Sequence, residues 1–163
     1  MALSKKMEKA LNDQINAELY SSYLYHAMAA DFQHKNWKGF AHWMRVQAGE
    51  EQGHGMKFAK YVEERLGRVT LRAIEAPPAE WESPLAAFEE VLKHEQKVTG
   101  LIDKLVDLAA AEKDNATSIL LQWFVTEQVE EEANADDIVQ KLRLIKDSVH
   151  GLFMLDSILG QRK

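Results

Sequence analysis

Six polar side chains with metal-ligand chemistry recur at matched positions in the two halves of the sequence. They are Glu18, Glu51 and His54 in the first half, and Glu95, Gln128 and Glu131 in the second half. The intervals within the two sets are the same, so a single shift along the chain superimposes one set on the other. Carboxylate oxygens with one imidazole nitrogen suit iron or manganese and also bind zinc, whereas copper(I) prefers sulfur ligands. The spacing therefore indicates a carboxylate-rich metal site that both halves of the chain build together.

These residues lie within long helical patterns, at positions where the pattern calls for an apolar side chain. The first pattern, for example, passes from Leu11 and Ile15 through Glu18 to Tyr25 in alternating steps of three and four residues. Such patterns predict α-helices over about 5–35, 38–66, 84–111 and 115–146, with a short fifth helix over about 149–160.

The segment 67–83 between the second and third helices is long and has no helical pattern, and it contains Pro77 and Pro78. The other connections between the long helices are short, which predicts two antiparallel helical hairpins. A loop of this length can run along the bundle and join the hairpins. We therefore predict an all-α fold, a four-helix bundle with one long crossover loop and a short C-terminal helix, as one domain over residues 1–163.

The composition excludes several classes of function. Cysteine is absent from the 163 residues, which excludes disulfides, cysteine-bound zinc and iron–sulfur clusters. A net charge of −6 without a basic patch argues against a nucleic-acid partner and suits cations better. No apolar run reaches the roughly 18 residues that would span a membrane, and no secretory signal is visible. We therefore expect a cytoplasmic protein.

The repeated polar positions have a structural alternative. Buried carboxylates destabilise a fold unless they are paired or bind a metal. A lone Glu-x-x-His pair on a helix is more often a surface feature than a ligand pair, but polar residues at matched positions in four helices favour a metal site. An iron-independent bundle, in which these side chains form only a hydrogen-bonded network, remains the alternative, as does a di-iron oxidase that acts on an organic substrate.

Seven stretches of the sequence carry a family resemblance. They are LNDQINAELYSSYLY, KGFAHWM, EEQGH, GRV, HEQKVT, LQWFVTEQVEEE and LGQRK. Together they resemble the non-haem ferritins of bacteria and archaea over essentially the whole chain. The resemblance implies a ferritin-like fold, oxidation of Fe(II) with dioxygen, and storage of Fe(III) mineral inside a homo-oligomeric shell of 24 subunits.

The resemblance also implies roles for individual residues. Glu18, Glu51 and His54 match one iron position of the ferroxidase centre, and Glu51 bridges to a second position that Glu95 and Glu131 complete, with Gln128 close by. Glu50, Glu127 and Glu130, with Glu131 shared, match a nearby third iron site of prokaryotic ferritins; a solvated acidic cluster is the alternative. Tyr25 matches a tyrosine beside the centre and is also compatible with a simple core role.

Gln52 distinguishes the sequence from another ferritin-like family, and three glycines near it depart from the usual ferritin pattern. Gln52 stands where bacterioferritins carry the haem-ligating methionine, so we expect no haem there. Gly49, Gly53 and Gly55 are compatible with a phosphate-binding loop, but no strand precedes them and the helical pattern continues on both sides. We therefore predict a helix through these glycines, although each glycine destabilises the helix by about 1 kcal/mol relative to alanine. The remaining histidines, His94 among them, are expected at the surface or at an interface.

Overall fold

The computed structural model describes residues 2–163, in which five α-helices and no strand are present. The helices are α1 (Lys5–His34), α2 (Lys38–Glu64), α3 (Pro84–Ala111), α4 (Asn115–Ile145) and α5 (Val149–Leu159). The predicted fold class is confirmed: α1 pairs with α2, α3 pairs with α4, and α5 packs mainly on α2. No helix within residues 2–163 combines the length and apolar character that crossing a bilayer requires.

Short polar side chains define where four of the helices begin. The side chains of Ser4, Ser83, Asp114 and Ser148 each accept a hydrogen bond from a backbone N–H in the first turn. These acceptors satisfy N–H groups that have no partner within the helix. Pro84 follows Ser83 at the first helical position, where its missing N–H has no cost.

The helices α1, α2 and α4 end one or two residues before their predicted ends, whereas α3 ends at residue 111 as predicted. Left-handed residues follow α1, α2 and α3, namely Asn36 (φ 65°), Leu66 (φ 59°) and Lys113 (φ 55°). The next residue in each case donates its N–H to a carbonyl in the final turn, over 2.8–2.9 Å. This arrangement normally uses glycine at the left-handed position. Because larger residues occupy this position here, the sequence has no glycine at this position that would indicate where these helices end.

The crossover segment 67–83 runs along α1 from its first turns to its last. The Asn12 amide nitrogen donates to the Arg68 carbonyl over 2.9 Å, and its amide oxygen accepts from the Thr70 N–H over 2.7 Å. At the far end, the Trp81 N–H donates to the Asp31 carboxylate over 3.1 Å. Side chains of α1 thus satisfy the polar backbone of a loop that has no regular structure of its own.

Two apolar clusters fill the bundle, one on each side of a polar layer. The larger one lies near the α1–α2 turn and includes Phe32, Phe40 and Phe88, while the smaller one lies near the opposite end and includes Phe58 and Phe124. All four long helices contribute to both clusters. The bundle therefore has rigid packing above and below the polar residues at mid-length.

Gly39 at the start of α2 allows α5 to approach closely. A β-carbon at this position would overlap the Asp156 carbonyl oxygen, and the Asp156 carboxylate accepts from the neighbouring Phe40 N–H over 2.9 Å. We expect Gly39→Ala to destabilise the protein by about 1–3 kcal/mol, because overpacking forces α5 away from α2. Gly100→Ala is the matched control, since nothing lies near its added β-carbon, and it should stabilise by up to about 1 kcal/mol. Thermal unfolding of both variants measures the contrast, and equal effects would contradict the close-packing explanation.

Candidate metal centre

The polar layer at the middle of the bundle receives one buried carboxylate from each long helix. Glu18 of α1, Glu51 of α2, Glu95 of α3 and Glu131 of α4 are between 0% and 7% exposed. His54, one turn after Glu51, is also buried. The structure therefore brings together, at one level, five of the six residues that the repeated spacing singled out, with the sixth, Gln128, beside them.

The ligand atoms of this layer form two groups that share one residue. Oxygen or nitrogen atoms of Glu18, Glu51 and His54 lie within 4.8 Å of one another, and so do oxygens of Glu51, Glu95 and Glu131. Each group offers three donors to one cation, and Glu51 belongs to both groups. This geometry can hold two cations side by side with Glu51 between them.

Two carboxylate oxygens of the layer accept no hydrogen bond. They are Oε2 of Glu18 and Oε2 of Glu51, both fully buried. The Nδ1 atom of His54 lies 3.4 Å from the same Glu51 oxygen. Buried carboxylate oxygens are almost always satisfied in folded proteins, so a pair that is left bare and faces an imidazole fits a metal ligand set.

Neutral amide groups donate hydrogen bonds to other oxygens of the layer. Gln14 donates its amide N–H to Glu18 over 2.8 Å. Gln47 donates to Glu131 over 2.7 Å and to Glu51 over 3.2 Å. No lysine or arginine donates a hydrogen bond to the four carboxylates within residues 2–163. Amide donors can orient these carboxylates while leaving their negative charge for a cation.

Burial and mutual repulsion raise the pKa values of all four carboxyl groups. Desolvation is the main cause in each case, and it raises the pKa of Glu131 to about 7. The pKa values of Glu18 and Glu51 are raised well above the ordinary value, and that of Glu95 is raised as well. Repulsion from a neighbouring carboxylate is a further cause, for example from Glu51 on Glu18. Without a metal, the centre therefore favours protonated carboxyl groups.

Tyr25 and Gln128 both contact Glu95. The Tyr25 hydroxyl is fully buried and donates a short hydrogen bond to Glu95 Oε1, and burial raises the pKa of Tyr25 well above its ordinary value. The amide nitrogen of Gln128 lies 3.3 Å from the other Glu95 oxygen. In this arrangement both residues orient Glu95.

Of the residues that the resemblance assigns to a third iron site, the structure groups Glu127 and Glu131 among its candidate metal ligands. A carboxylate oxygen of Glu127 lies within 4.8 Å of donor atoms of His54 and Glu131. Glu50, in contrast, accepts a hydrogen bond from Arg162 over 2.5 Å. The Glu130 side chain is exposed, and no candidate ligand cluster among residues 2–163 includes Glu50 or Glu130.

The structure places further side chains around the centre whose contacts the sequence did not predict. Gln47 lies on the same face of α2 as Glu51, so the sequence indicates that it is near the centre. The sequence does not indicate which carboxylates its amide contacts. Trp123 packs edge-on against the His54 ring at 5.4 Å between centroids, and Lys57 Nζ lies 3.1 Å above the Trp123 ring. This pair covers His54 on its outer side.

His94, which was expected at the surface or at an interface, is partly buried against α1. Its Nε2 atom lies 2.7 Å from the Ser21 hydroxyl, and its ring packs edge-on against Tyr25. Burial lowers the pKa of His94 to about 4, so the ring is neutral at physiological pH. The sequence could not show this, because the contact joins α1 to α3 across the crossover connection.

Gly49, Gly53 and Gly55 lie within the continuous helix α2, as predicted. A β-carbon on Gly49 or Gly53 would meet nothing within 4 Å. Gly55 is buried, and a β-carbon there would stand 3.4 Å from the Glu18 β-carbon. Gly55 therefore permits close packing of α2 on α1 beside the ligands, whereas nothing in the structure explains Gly49 or Gly53.

Comparison with known proteins assigns the chain to one family. A family model described as a ferritin-like domain matches residues 8–145. The chain is 48% identical to a bacterial non-heme ferritin of Bacteroides fragilis, over 98% of this chain and 99% of the relative. It is 39% identical to a bacterial non-heme ferritin of Staphylococcus aureus, over 98% of this chain and 96% of the relative.

A solved structure agrees closely with the whole chain. It is an open pore ferritin from the hyperthermophilic archaeon Archaeoglobus fulgidus, 56% identical in sequence. The two structures superimpose with a TM-score of 0.99 over 99% of this chain and 100% of the other. Similarity of this extent covers the four helices, the crossover and α5.

Proposed function

The chain belongs to the ferritin family of iron-storage proteins, and on this premise we propose that it oxidises Fe(II) with dioxygen at a two-iron centre within each subunit. The resulting Fe(III) is stored as a mineral inside a hollow homo-oligomeric shell of 24 subunits. Iron is thus both the substrate and the cargo of the protein. The cytoplasm is the proposed location. We also propose one ferritin-like domain over residues 1–163, which is supported by the contribution of all four long helices to both apolar clusters.

The two bare carboxylate oxygens are the observation that supports this activity most strongly. Glu18 Oε2 and Glu51 Oε2 are buried without a hydrogen-bond donor, and Glu51 belongs to both ligand groups. Glu18, Glu51 and His54 bind one Fe(II), and Glu51, Glu95 and Glu131 bind the other. Two irons side by side supply two electrons to one dioxygen molecule, and carboxylate ligands favour Fe(III) over Fe(II).

The carboxyl groups of the centre also bind and release protons. Carboxyl groups with raised pKa values must lose their protons when they bind a cation, so loading with Fe(II) releases protons to the solvent. Gln14 and Gln47 keep Glu18 and Glu131 in place during this change, since neutral amides donate to the carboxylates without neutralising them. Tyr25 orients Glu95 and is the nearest phenol that could supply an electron.

We keep a third iron site at Glu50, Glu127 and Glu130, with Glu131 shared, as part of the proposal. The nearness of Glu127 to His54 and Glu131 supports one side of this site. Its other side requires Glu50 to leave Arg162 and Glu130 to turn inward. Gln128 is kept as an auxiliary ligand through its amide oxygen. We also expect that Gln52 leaves no haem ligand at its position.

Aerobic addition of Fe(II) to the metal-free protein tests this function. Oxygen uptake is followed first, and the elution of iron with protein on size-exclusion chromatography is followed second. The proposal predicts rapid uptake and many irons per chain in a very large particle. Oxidation that stops at about two or three irons per chain in a small particle would instead indicate a di-iron oxidase. Absence of oxygen uptake would indicate a structural bundle.

A further inference from the structure

The C-terminal residues after α5 fold back onto α2 beside the metal centre. Arg162 is the main contact: its guanidinium lies 4.6 Å from the ring centre of Trp43 and donates to the Trp43 carbonyl over 3.4 Å. The backbone carbonyl of Arg162 lies 2.7 Å from Nε2 of His42. The Arg162 side chain is only 21% exposed. The end of the chain is therefore fixed against the helix that carries Glu51 and His54.

The same guanidinium contacts a residue that holds two of the candidate ligands. Arg162 donates to the amide oxygen of Gln47 over 2.8 Å. The amide nitrogen of Gln47 donates in turn to Glu131 over 2.7 Å and to Glu51 over 3.2 Å. Gln47 is 1% exposed, so all of its polar atoms depend on these partners.

We propose that Arg162 is a positioning residue of the metal centre, which acts through Gln47 to hold Glu51 and Glu131 in ligand geometry. This inference rests on the proposed function, since it takes these two carboxylates to be iron ligands. It gives the C-terminal segment a role in the centre in addition to packing on α2.

The argument depends on the polarity of the amide group. A guanidinium has only N–H donors, so it accepts no hydrogen bond and can contact only the oxygen of the Gln47 amide. The opposite orientation would place the amide oxygen against two carboxylates and the amide N–H against Arg162. Arg162 therefore selects the one orientation in which Gln47 donates to Glu51 and Glu131.

A second contact of Arg162 orders the same surface. Its other terminal nitrogen donates to Glu50 over 2.5 Å, so Gln47 and Glu50, which lie one turn apart on α2, are clamped by one planar group. Lysine has no such planar fork. A shorter side chain at position 162 would release both residues together.

A double-mutant cycle tests the inference with Co(II) as an anaerobic, redox-stable probe. Arg162→Ala should weaken the tightest Co(II) binding by about 10-fold, the lower end of what outer hydrogen-bonding partners contribute. Gln47→Leu should weaken it by at least as much. In the Gln47→Leu background, Arg162→Ala should then have no further effect, because the path from Arg162 to the ligands is already broken.

Arg143→Ala is the matched control, since Arg143 pairs with Glu89 over 2.9 Å on the exposed surface, and it should leave Co(II) binding unchanged. Thermal unfolding confirms that each variant is folded. An Arg162→Ala variant that is less stable but binds Co(II) normally would overturn the inference. Additive losses in the double variant would overturn it as well. Failure of the unaltered protein to bind Co(II) would instead refute the metal centre of the proposed function.

Discussion

Replacing Glu51 by glutamine is expected to lower the initial rate of aerobic Fe(II) oxidation by about 100-fold or more, because changes to mere neighbours of metal ligands already cost 10- to 100-fold. Glu51 is the residue that both ligand groups share, and one of its oxygens accepts no hydrogen bond. Glutamine keeps the volume of the side chain but removes its charge, so the loss reflects ligation and not a cavity. Stopped-flow absorbance after mixing with Fe(II) measures the rate.

Glu89→Gln is the matched control for this experiment. Glu89 lies on the exposed face of α3 and pairs with Arg143. The Glu89→Gln variant should therefore oxidise Fe(II) at the rate of the unaltered protein. The Glu51→Gln variant should also be at least as stable as the unaltered protein when metal is absent, because repulsion among buried carboxylates is relieved. Normal oxidation by Glu51→Gln would refute the shared-ligand assignment.

Raising the pH from about 4.5 to about 7 is expected to destabilise the metal-free protein, with about 3 kcal/mol lost through Glu131 alone. The pKa of Glu131 is about 7 in the folded chain and 4.5 in the reference state. The folded protein therefore binds the proton more tightly than the unfolded chain does. This contribution is fully present below pH 4.5 and is lost as the pH rises through 7. The raised pKa values of Glu18, Glu51 and Glu95 act in the same direction.

Chemical denaturation in the presence of a chelator, at steps between about pH 4.5 and about pH 8, measures this loss. Glu131→Gln should flatten the pH dependence, whereas Glu89→Gln should leave it unchanged. Saturating Co(II) should reverse the trend, because the metal binds the deprotonated carboxylates and stabilises the folded state more as the pH rises. Equal pH dependence in Glu131→Gln and in the unaltered protein would contradict the raised pKa of Glu131.

The sequence was sufficient to predict the helices and the level of the polar layer, because both depend on local periodicity. Glu18 and Glu95 stand out since each replaces an apolar residue in a helical stripe. The ends of the helices were less certain, as left-handed residues such as Leu66 stand where glycine normally ends a helix. The structure also ends α2 at Glu64, before the predicted residue 66.

Contacts between distant segments could not be predicted in the same way. Arg162 and Gln47 are far apart along the chain and belong to no common periodic pattern, so only the folded structure brings them together. The pairing of Glu50 with Arg162 has the same origin, and the resemblance, which assigned Glu50 to an acidic group, did not indicate this basic partner. Sequence shows which residues share a helix face, whereas the partner of a charged side chain depends on tertiary packing.

Anomalous diffraction at the iron absorption edge, from crystals soaked anaerobically with Fe(II), tests the two-iron centre most directly. We expect two peaks inside every subunit, about 3.5–4 Å apart, on either side of the Glu51 carboxylate. One peak should contact Glu18 and His54, and the other should contact Glu95 and Glu131. Peaks found only on the protein surface, or a single peak that does not contact Glu51, would contradict the account.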